Sequence, residues 1–539
     1  MRMSHRWTID ITPRPGAWRL PTLISIIVGA AHGASFAPLV SWWTELIALA
    51  LLVGIVARAD TFRIAWLSGY GFGLGWFGTG VYWLYISMHD YGHMPWWAAG
   101  SAVLLFCLYL SIYPALAVGL WWRLRARLAP AWQATAFALL WAGSEWLRAT
   151  VLTGFPWIGT GYAHVDGPLA GYAPIGGVYV VGLLAALVAA AFALVLDSAM
   201  ASERLRAPRN RRTAAIMAGV ALLVLGAGMG LRLVHWTAPV GKPIAVRLLQ
   251  GNVPQETKFD PERMVAEYQN YFDLIQDRPA ELVVLPETAF PLPIQDSPPG
   301  FFDALARRTR AWDMTILSGI FIMDDGPDPN LPLYTNGAIA IGPQTQPPIV
   351  DHTKLPVYRK HHLVPFGEFI PWGFHWFVDI LQIPIGDQQE GTASQASFPV
   401  TRADGSTLLV GMNICYEDYF GEQIALALQR PDAPNVLINL TNLGWFGDTT
   451  AIPQHVLASR MRAVETGRPM LRATNSGGTA YITPDGHVVD QLPAFERTSL
   501  SASVQGMSGI TPYGRWLDLP FLVICVAGLA LALWSARRR

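Results

Sequence analysis

The stretch TLLVGMNICYEDYFGEQ, residues 407–423, decides how the polar half of this chain folds. Thr407–Ile414 is an apolar run of strand length that leads directly into Cys415. Turn residues then separate the cysteine from the helical run Glu422–Gln429. Strand, reactive side chain, turn and helix is an order in which α/β enzymes present a nucleophile. Ile244–Gln250 (IAVRLLQ), Leu282–Leu285 and Asn435–Leu440 (NVLINL) also read as short buried strands. Pro261–Asp277 reads as a helix, with Asp260 as its N-cap and proline at its first position. The segment 236–516 is therefore expected to be one α/β domain whose helices cover a sheet.

Around this domain the chain is far more apolar. Of 539 residues, 52% are hydrophobic and 14% charged, against roughly 25% charged in average soluble domains. The net charge is zero, so nothing points to a nucleic-acid partner. Eight apolar stretches are candidates to cross a bilayer, near 21–40, 43–57, 64–86, 97–121, 131–151, 169–197, 213–234 and 517–535. Arginines cluster before the first (Arg2, Arg6, Arg14, Arg19), after the second (Arg58, Arg63) and after the fourth (Arg123, Arg125, Arg127). They recur after the sixth (Arg204, Arg206, Arg209, Arg211, Arg212) and at the end (Arg537, Arg538, Arg539). The alternate loops 87–96 and 152–168 contain no Lys or Arg. The positive-inside rule then expects both termini in the cytoplasm and 236–516 outside it. The expected organisation is a polytopic α-helical membrane domain of seven spans over 1–235, an external catalytic domain over 236–516, and a last span with a basic tail over 517–539.

Three cysteines are present. Cys107 and Cys525 lie inside apolar runs, where a thiol acts as a small hydrophobe. Cys415 is alone in the polar domain, with no local disulfide partner and no CxxC spacing. His361 and His362 lack a third ligand at suitable spacing, so no metal is expected. Two other strand ends carry reactive groups. Glu287 follows the run VVL in LPETAFP (285–291), and a carboxylate there is costly unless paired or used. Lys360 opens KHHLVPFGEFIP (360–371). A cysteine attacks as thiolate, and its unperturbed pKa is about 8.5. A carboxylate can accept its proton, and an ammonium can stabilise the thiolate and a tetrahedral oxyanion. Taken singly, each residue also has an ordinary structural reading: a strand-end core thiol, a turn carboxylate beside prolines, a lysine on a solvated face.

LPETAFP, KHHLVPFGEFIP and NICYEDYFGEQ (413–423), in that order, resemble the Glu–Lys–Cys signatures of the nitrilase superfamily. The long HLVPFGEFIP form and the eight-span frame resemble the bacterial apolipoprotein N-acyltransferases. The resemblance extends to GSEWLR (143–148), GFPW (154–157), QGNVPQ (250–255), NLGWFG (442–447), RAVETGRP (462–469) and ATNSGGTA (473–480). It implies a nitrilase-like α-β-β-α sandwich with Glu287 as general base, Lys360 supporting the intermediate and Cys415 as nucleophile. It also implies supporting roles for Glu368, Tyr416, Glu417, Phe259 and Trp445. Phe259 stands where some family members carry tryptophan, and Leu443-Gly444 stands where Asp-Ala is frequent. The implied reaction is ping-pong and needs no cofactor. Cys415 takes an acyl chain from a membrane phospholipid as a thioester, then passes it to the N-terminal amine of a diacylglyceryl apolipoprotein. The implied setting is the bacterial inner membrane, with the catalytic domain periplasmic, and a monomer is expected.

Two rival readings share these residues or this frame. A membrane-tethered amidase would pass the acyl group to water but needs no eight-span frame. A transporter or receptor would need more paired charges within its spans. Glu145 in the fifth span reads equally as a functional carboxylate and as the helical partner of Arg148, and stands outside the catalytic set. Phe369–Ile385 (FIPWGFHWFVDILQIPI) is unusually apolar. It is expected either to join the core or to dip into the membrane at the lipid entrance.

Overall fold

The computed structural model describes residues 16–200, 208–258, 260–328, 331–373, 387–402 and 404–537. Phe259 and the 374–386 part of the apolar segment lie outside the described residues, as do Arg2, Arg6, Arg14, Arg204, Arg206, Arg538 and Arg539.

Helices occupy all eight apolar positions, but their lengths and compositions differ from the expectation. Four are long and apolar enough to cross a bilayer: Trp96–Arg125, Pro168–Asp197, Arg212–Leu231 and Leu519–Arg537. Trp42–Ala57 is a shorter apolar helix. Arg19–Ala34 has 16 residues, about 24 Å at 1.5 Å per residue, short of the ~30 Å hydrocarbon layer. Phe62–Gly80 is diluted by glycines, and Pro130–Thr150 carries Gln133, Glu145 and Arg148. The expected span 97–121 falls inside Trp96–Arg125, which runs on through Ser111 with helical backbone angles and a bond from the Ser111 N–H to the Cys107 carbonyl. Pro114, which cannot donate a backbone N–H, lies just beyond it. The glycines of 62–80 serve packing. A Cβ on Gly75 would overlap the Ile26 carbonyl, and one on Gly29 the Phe72 carbonyl. Helices 19–34 and 62–80 therefore meet backbone to backbone, as small residues permit within membranes.

The polar domain starts with β1 (Ala238–Pro239), β2 (Ile244–Gln250), β3 (Leu282–Val284), β4 (Thr315–Asp324), β5 (Leu333–Ile341) and β6 (Val357–Arg359). It continues with β7 (Phe398–Thr401), β8 (Thr407–Ile414), β9 (Val436–Thr441) and β10 (Met470–Thr474). The last strands are β11 (Ala480–Ile482), β12 (Val488–Gln491), β13 (Thr498–Val504) and β14 (Met507–Ser508). β1 pairs with β14. The others make two six-stranded sheets, in the orders β13-β2-β3-β4-β5-β6 and β12-β11-β10-β9-β8-β7.

The period of two along each strand divides the core. Val246, Leu248, Leu282 and Val284 of the first sheet pack against Val410, Val436, Ile438 and Leu471 of the second. The alternate residues Leu249, Val283 and Leu285 face Tyr268 and Ile275 of helix Pro261–Gln276 and Leu305 of helix Phe301–Trp312. On the far face of the second sheet, Leu437 and Met470 pack against Ala463 of helix Ala451–Thr466. The domain is the expected α-β-β-α sandwich. Asp260 caps the first helix as expected, its side chain accepting the Glu262 N–H at 3.0 Å.

This domain is continuous with the membrane half. Tyr416, Tyr419, Phe420, Leu457 and Met461 share one apolar core with Trp83, Trp141, Trp157 and Tyr162. Polar contacts fix the seam. Gln454 Oε1 accepts from Trp157 Nε1 at 2.7 Å and Trp83 Nε1 at 3.1 Å, and Glu465 Oε1 accepts the Val178 N–H at 2.7 Å.

Candidate active site

Cys415 lies where β8 ends and a 3-10 turn, Cys415–Tyr419, begins. Its φ is 53°, a left-handed conformation that costs a non-glycine residue about 1–3 kcal/mol. The bend turns the thiol off the strand axis. Asn439 on neighbouring β9 secures it, donating from Nδ2 to the Cys415 carbonyl at 3.2 Å and to Asn413 Oδ1 at 2.6 Å. Beneath the turn, Asp418 Oδ2 accepts from Arg472 Nη1 at 2.7 Å and from Ser459.

Glu287 stands just beyond β3. The strand approaches β4 so closely that a Cβ on Gly319 would lie 2.6 Å from Glu287 Cα, so only glycine fits there. The carboxylate is buried, at 7% exposure. Its Oε1 accepts from Asn336 Nδ2 at 2.7 Å, and its Oε2 accepts the Asn442 N–H at 2.9 Å. Lys360 follows β6 and is 1% exposed. Its Nζ donates to Glu368 Oε1 at 2.8 Å and lies 3.5 Å from Glu287 Oε1. Asn336 Nδ2 also donates to Glu368 Oε1 at 2.7 Å, and the Val364 N–H donates to Glu368 Oε2 at 2.8 Å.

These groups converge on the thiol. Burial pushes the Cys415 thiol pKa up and the Glu287 carboxylate adds to the rise, while the Lys360 ammonium opposes it. Burial favours the neutral form of Lys360, but Glu368 and Glu287 more than reverse this and hold its pKa above the ordinary lysine range. The result is a half-buried, protonated thiol beside a buried glutamate and a buried, fixed ammonium. That set can move a proton from sulfur to carboxylate and offer positive charge to a developing oxyanion.

The other sequence-derived residues have separate places. Glu417 reaches backbone amides and a tyrosine. Its Oε1 accepts the His361 N–H at 2.7 Å, its Oε2 the Tyr358 hydroxyl at 2.8 Å, and the Ile414 N–H also reaches Oε2. It thereby ties the Lys360 strand to the Cys415 strand. Tyr416 turns toward the membrane half and donates to the Gly154 carbonyl at 3.1 Å. Trp445 is part-exposed, its ring 6.0 Å from that of Tyr91. Phe259 lies outside the described residues. Glu145 accepts from the Thr160 N–H at 2.8 Å and sits 3.7 Å from Arg148, which donates to the Trp157 carbonyl at 3.0 Å. The pair pins the loop that carries Trp157. No cluster of His, Cys, Asp and Glu suited to a metal occurs among the described residues.

Sequence reading missed Asn336 and Lys258. Asn336 is a polar residue in the middle of the apolar strand LYTNGAIAI, a detectable signal, since a buried amide there needs partners. Lys258 Nζ donates to Thr288 Oγ1 at 2.6 Å and to the Glu287 carbonyl at 3.2 Å. It sits in a loop without strand or helix periodicity to mark it as buried.

A buried carboxylate and ammonium beside a half-buried thiol at the strand ends of a two-sheet sandwich suit an enzyme of the carbon–nitrogen hydrolase class, and residues 245–513 match the model of that family. Residues 28–191 match the model described as the apolipoprotein N-acyltransferase N-terminal domain. The chain is 48% identical over 527 residues to the apolipoprotein N-acyltransferase of Ralstonia nicotianae, covering 97% of this chain and 94% of that relative. It is 41% identical over 553 residues to that of Bordetella bronchiseptica, covering 97% and 98%. The chain belongs to the apolipoprotein N-acyltransferase family and is an acyltransferase. Among solved structures, an amidase of the nitrilase superfamily from Nesterenkonia AN1 aligns over 50% of this chain and 92% of its own. The identity there is 18% and the TM-score 0.31.

Proposed function

We propose that this enzyme moves a fatty acyl chain from a membrane phospholipid to the N-terminal α-amino group of a diacylglyceryl apolipoprotein, through a thioester on Cys415. The observation that carries the reading is the nucleophile turn itself. Glu287 and Lys360 both act electrostatically on the Cys415 thiol, and the next residue, Tyr416, is hydrogen-bonded to Gly154 in the membrane half. A site joined this closely to apolar helices suits reactants that are both anchored in lipid.

Glu287 takes the thiol proton as Cys415 Sγ attacks the ester carbonyl, and Lys360 faces the oxyanion. Collapse breaks the ester C–O bond. The lysophospholipid alkoxide leaves with the proton held by Glu287. The acceptor amine then attacks the thioester, Glu287 receives the amine proton, and sulfur departs and is reprotonated. Glu368 pairs with Lys360 at 2.8 Å, and Asn336 holds both carboxylates. Glu417 and Tyr416 keep the nucleophile turn in register with the Lys360 strand and the membrane half, and Trp445 supplies an aromatic wall.

The same reading assigns the seven-span domain to 1–235, the catalytic domain to 236–516 on the periplasmic side of the bacterial inner membrane, and the last span with its tail to 517–539. Both termini are then cytoplasmic, and the enzyme acts as a monomer without a cofactor. The test is to incubate the detergent-solubilised enzyme with a defined phospholipid and search for an acyl adduct by intact-protein and peptide mass spectrometry. The expected result is one acyl chain on Cys415, absent from Cys415→Ala and discharged by a diacylglyceryl peptide. A folded wild-type enzyme that gains no thioester would overturn the reading.

A further inference from the structure

Lys258 belongs to none of the motifs that mark the site, yet it is buried at 3% exposure. Both of its hydrogen bonds go to the turn that aims the general base, at the Glu287 carbonyl and the Thr288 hydroxyl. That turn is strained, since Thr288 has a φ of 44°, and a branched residue adopts such a value only when its surroundings enforce it. The charged and titratable groups that act on Lys258 are Glu287, Glu267 from helix Pro261–Gln276, and the Cys415 thiol. Lys360 acts on the same thiol and the same carboxylate from the end of β6. The cluster around Cys415 therefore holds two ammonium groups, Lys258 and Lys360. Two carboxylates, Glu287 and Glu368, lie against Lys360.

We propose that Lys258 is a positioning residue and the second cation of the acyl-transfer site, fixing the Glu287 turn while compensating the negative charge that passes from Glu287 to Cys415. The inference rests on the Glu287–Lys360–Cys415 reading given above. Proton transfer from sulfur to Glu287 moves one negative charge across the site and leaves the total unchanged. Lys258 and Lys360 each offset part of the negative charge that Glu287, Glu368 and Glu267 bring to the cluster. Without Lys258 that charge is offset by Lys360 alone, and an added thiolate is disfavoured. Burial draws the Lys258 pKa down to about 8 against the pull of Glu287 and Glu267, so the ammonium persists at neutral pH.

A purely mechanical brace would predict a different result, because it would not alter the ionisation of the thiol. The experiment uses full-length enzyme in detergent as wild type, Lys258→Met and Lys258→Arg. The Cys415 peptide is followed by mass spectrometry during iodoacetamide alkylation between about pH 6 and 7.5, below the ordinary thiol range and below the Lys258 pKa of about 8, where the rate is proportional to the thiolate fraction. No acyl donor is present. Loss of a nearby opposite charge shifts a pKa by about 1–3 units, so Lys258→Met is expected to slow alkylation in this range at least about 10-fold. Lys258→Arg, which keeps the charge, is expected to restore most of that rate. Acyl-enzyme formation is expected to fall about 100-fold in Lys258→Met, through loss of both the charge and the aim of Glu287. A folded Lys258→Met enzyme that is alkylated at the wild-type rate overturns the proposal, whatever its activity. If Lys258→Met does not fold, Lys258→Gln, which retains a donor for Thr288, is held to the same criterion. A rate that falls while wild type gains no acyl chain from phospholipid would fault the donor assignment and leave the role of Lys258 standing.

Discussion

Lys360 Nζ lies 2.8 Å from Glu368 Oε1, closer than its 3.5 Å approach to Glu287 Oε1. The shorter ion pair of Lys360 is thus made with Glu368, the carboxylate that the proposed mechanism does not use as the base. Glu287 stays near enough to share the field of Lys360 without being locked in a direct hydrogen bond to it. Glu368→Gln should draw Lys360 onto Glu287 and lower its capacity as a base. Single-turnover acylation of Cys415 is expected to slow about 100-fold. Thermal unfolding in detergent should report a loss of about 3 kcal/mol for breaking a buried pair. A wild-type acylation rate in this variant would show that the division of labour between the two carboxylates is wrong.

Asn336 is the second test of the same arrangement. One amide nitrogen donates to Glu287 Oε1 and Glu368 Oε1, each at 2.7 Å, and so separates two carboxylates that would otherwise repel. Asn336→Asp is nearly isosteric but replaces the donor by a third negative charge. Acylation should fall at least about 100-fold, and stability by about 2–4 kcal/mol, because a buried donor is lost and like charges are gathered. Asn336→Asp with unaltered acylation and melting would remove the amide from the working site.

How much of this was legible in the sequence follows from where each residue sits. Cys415 comes directly after an apolar strand and Glu287 just past one, and a reactive side chain at that boundary is conspicuous in one dimension, whereas Lys360 follows the short strand VYR and stands out only through the string it opens. Their mutual approach is not, because it depends on two sheets and on connections that bring β3, β6 and β8 to one end of the sandwich. Glu417 and Tyr416 adjoin the nucleophile in sequence but diverge in space. The 3-10 turn points Glu417 at the His361 amide and Tyr416 at Gly154. Lys258 was hidden because burial of a loop lysine has no periodic signature.

Glu145 gives a prediction of the opposite kind. Its Oε1 accepts the Thr160 N–H at 2.8 Å and its hydroxyl at 3.0 Å, and a glutamine oxygen can accept both. Glu145→Gln should therefore keep acyl transfer within about threefold of wild type and cost about 1–2 kcal/mol of thermal stability. A loss beyond about 100-fold without a change in melting would move Glu145 from bracing the Trp157 loop to taking part in the chemistry.

The pKa of Cys415 yields a prediction whose sign is not intuitive. Burial raises it, Glu287 raises it further and Lys360 opposes both. The thiol form is therefore favoured at neutral pH, and alkylation should keep climbing beyond the ordinary thiol range near 8.5. Glu287→Gln removes one of the groups that raise the pKa. Its alkylation midpoint should fall while its acylation by phospholipid drops at least about 1000-fold, since the thiolate gains stability but the base is gone. A midpoint that rises in Glu287→Gln would mean that the carboxylate does not face the thiol.

Trp372 offers a test of the proposed lipid approach to the site. It lies four residues beyond Glu368 and is 97% exposed, although burying an aromatic side chain of this size is worth about 2–3 kcal/mol. An indole left in this position gains most where its ring meets the headgroup layer. Trp372→Glu removes that gain and adds a charge that the interface disfavours, without touching a packed neighbour. Transfer from phospholipid in vesicles should fall about 10- to 100-fold, the rate equivalent of about 1.4–2.8 kcal/mol. Transfer from a short-chain donor dispersed in detergent should stay within about twofold, because the catalytic groups are unaltered. Equal losses on both donors would place the effect in the folding of the Lys360–Glu368 segment, and no loss on vesicles would remove Trp372 from the lipid approach altogether.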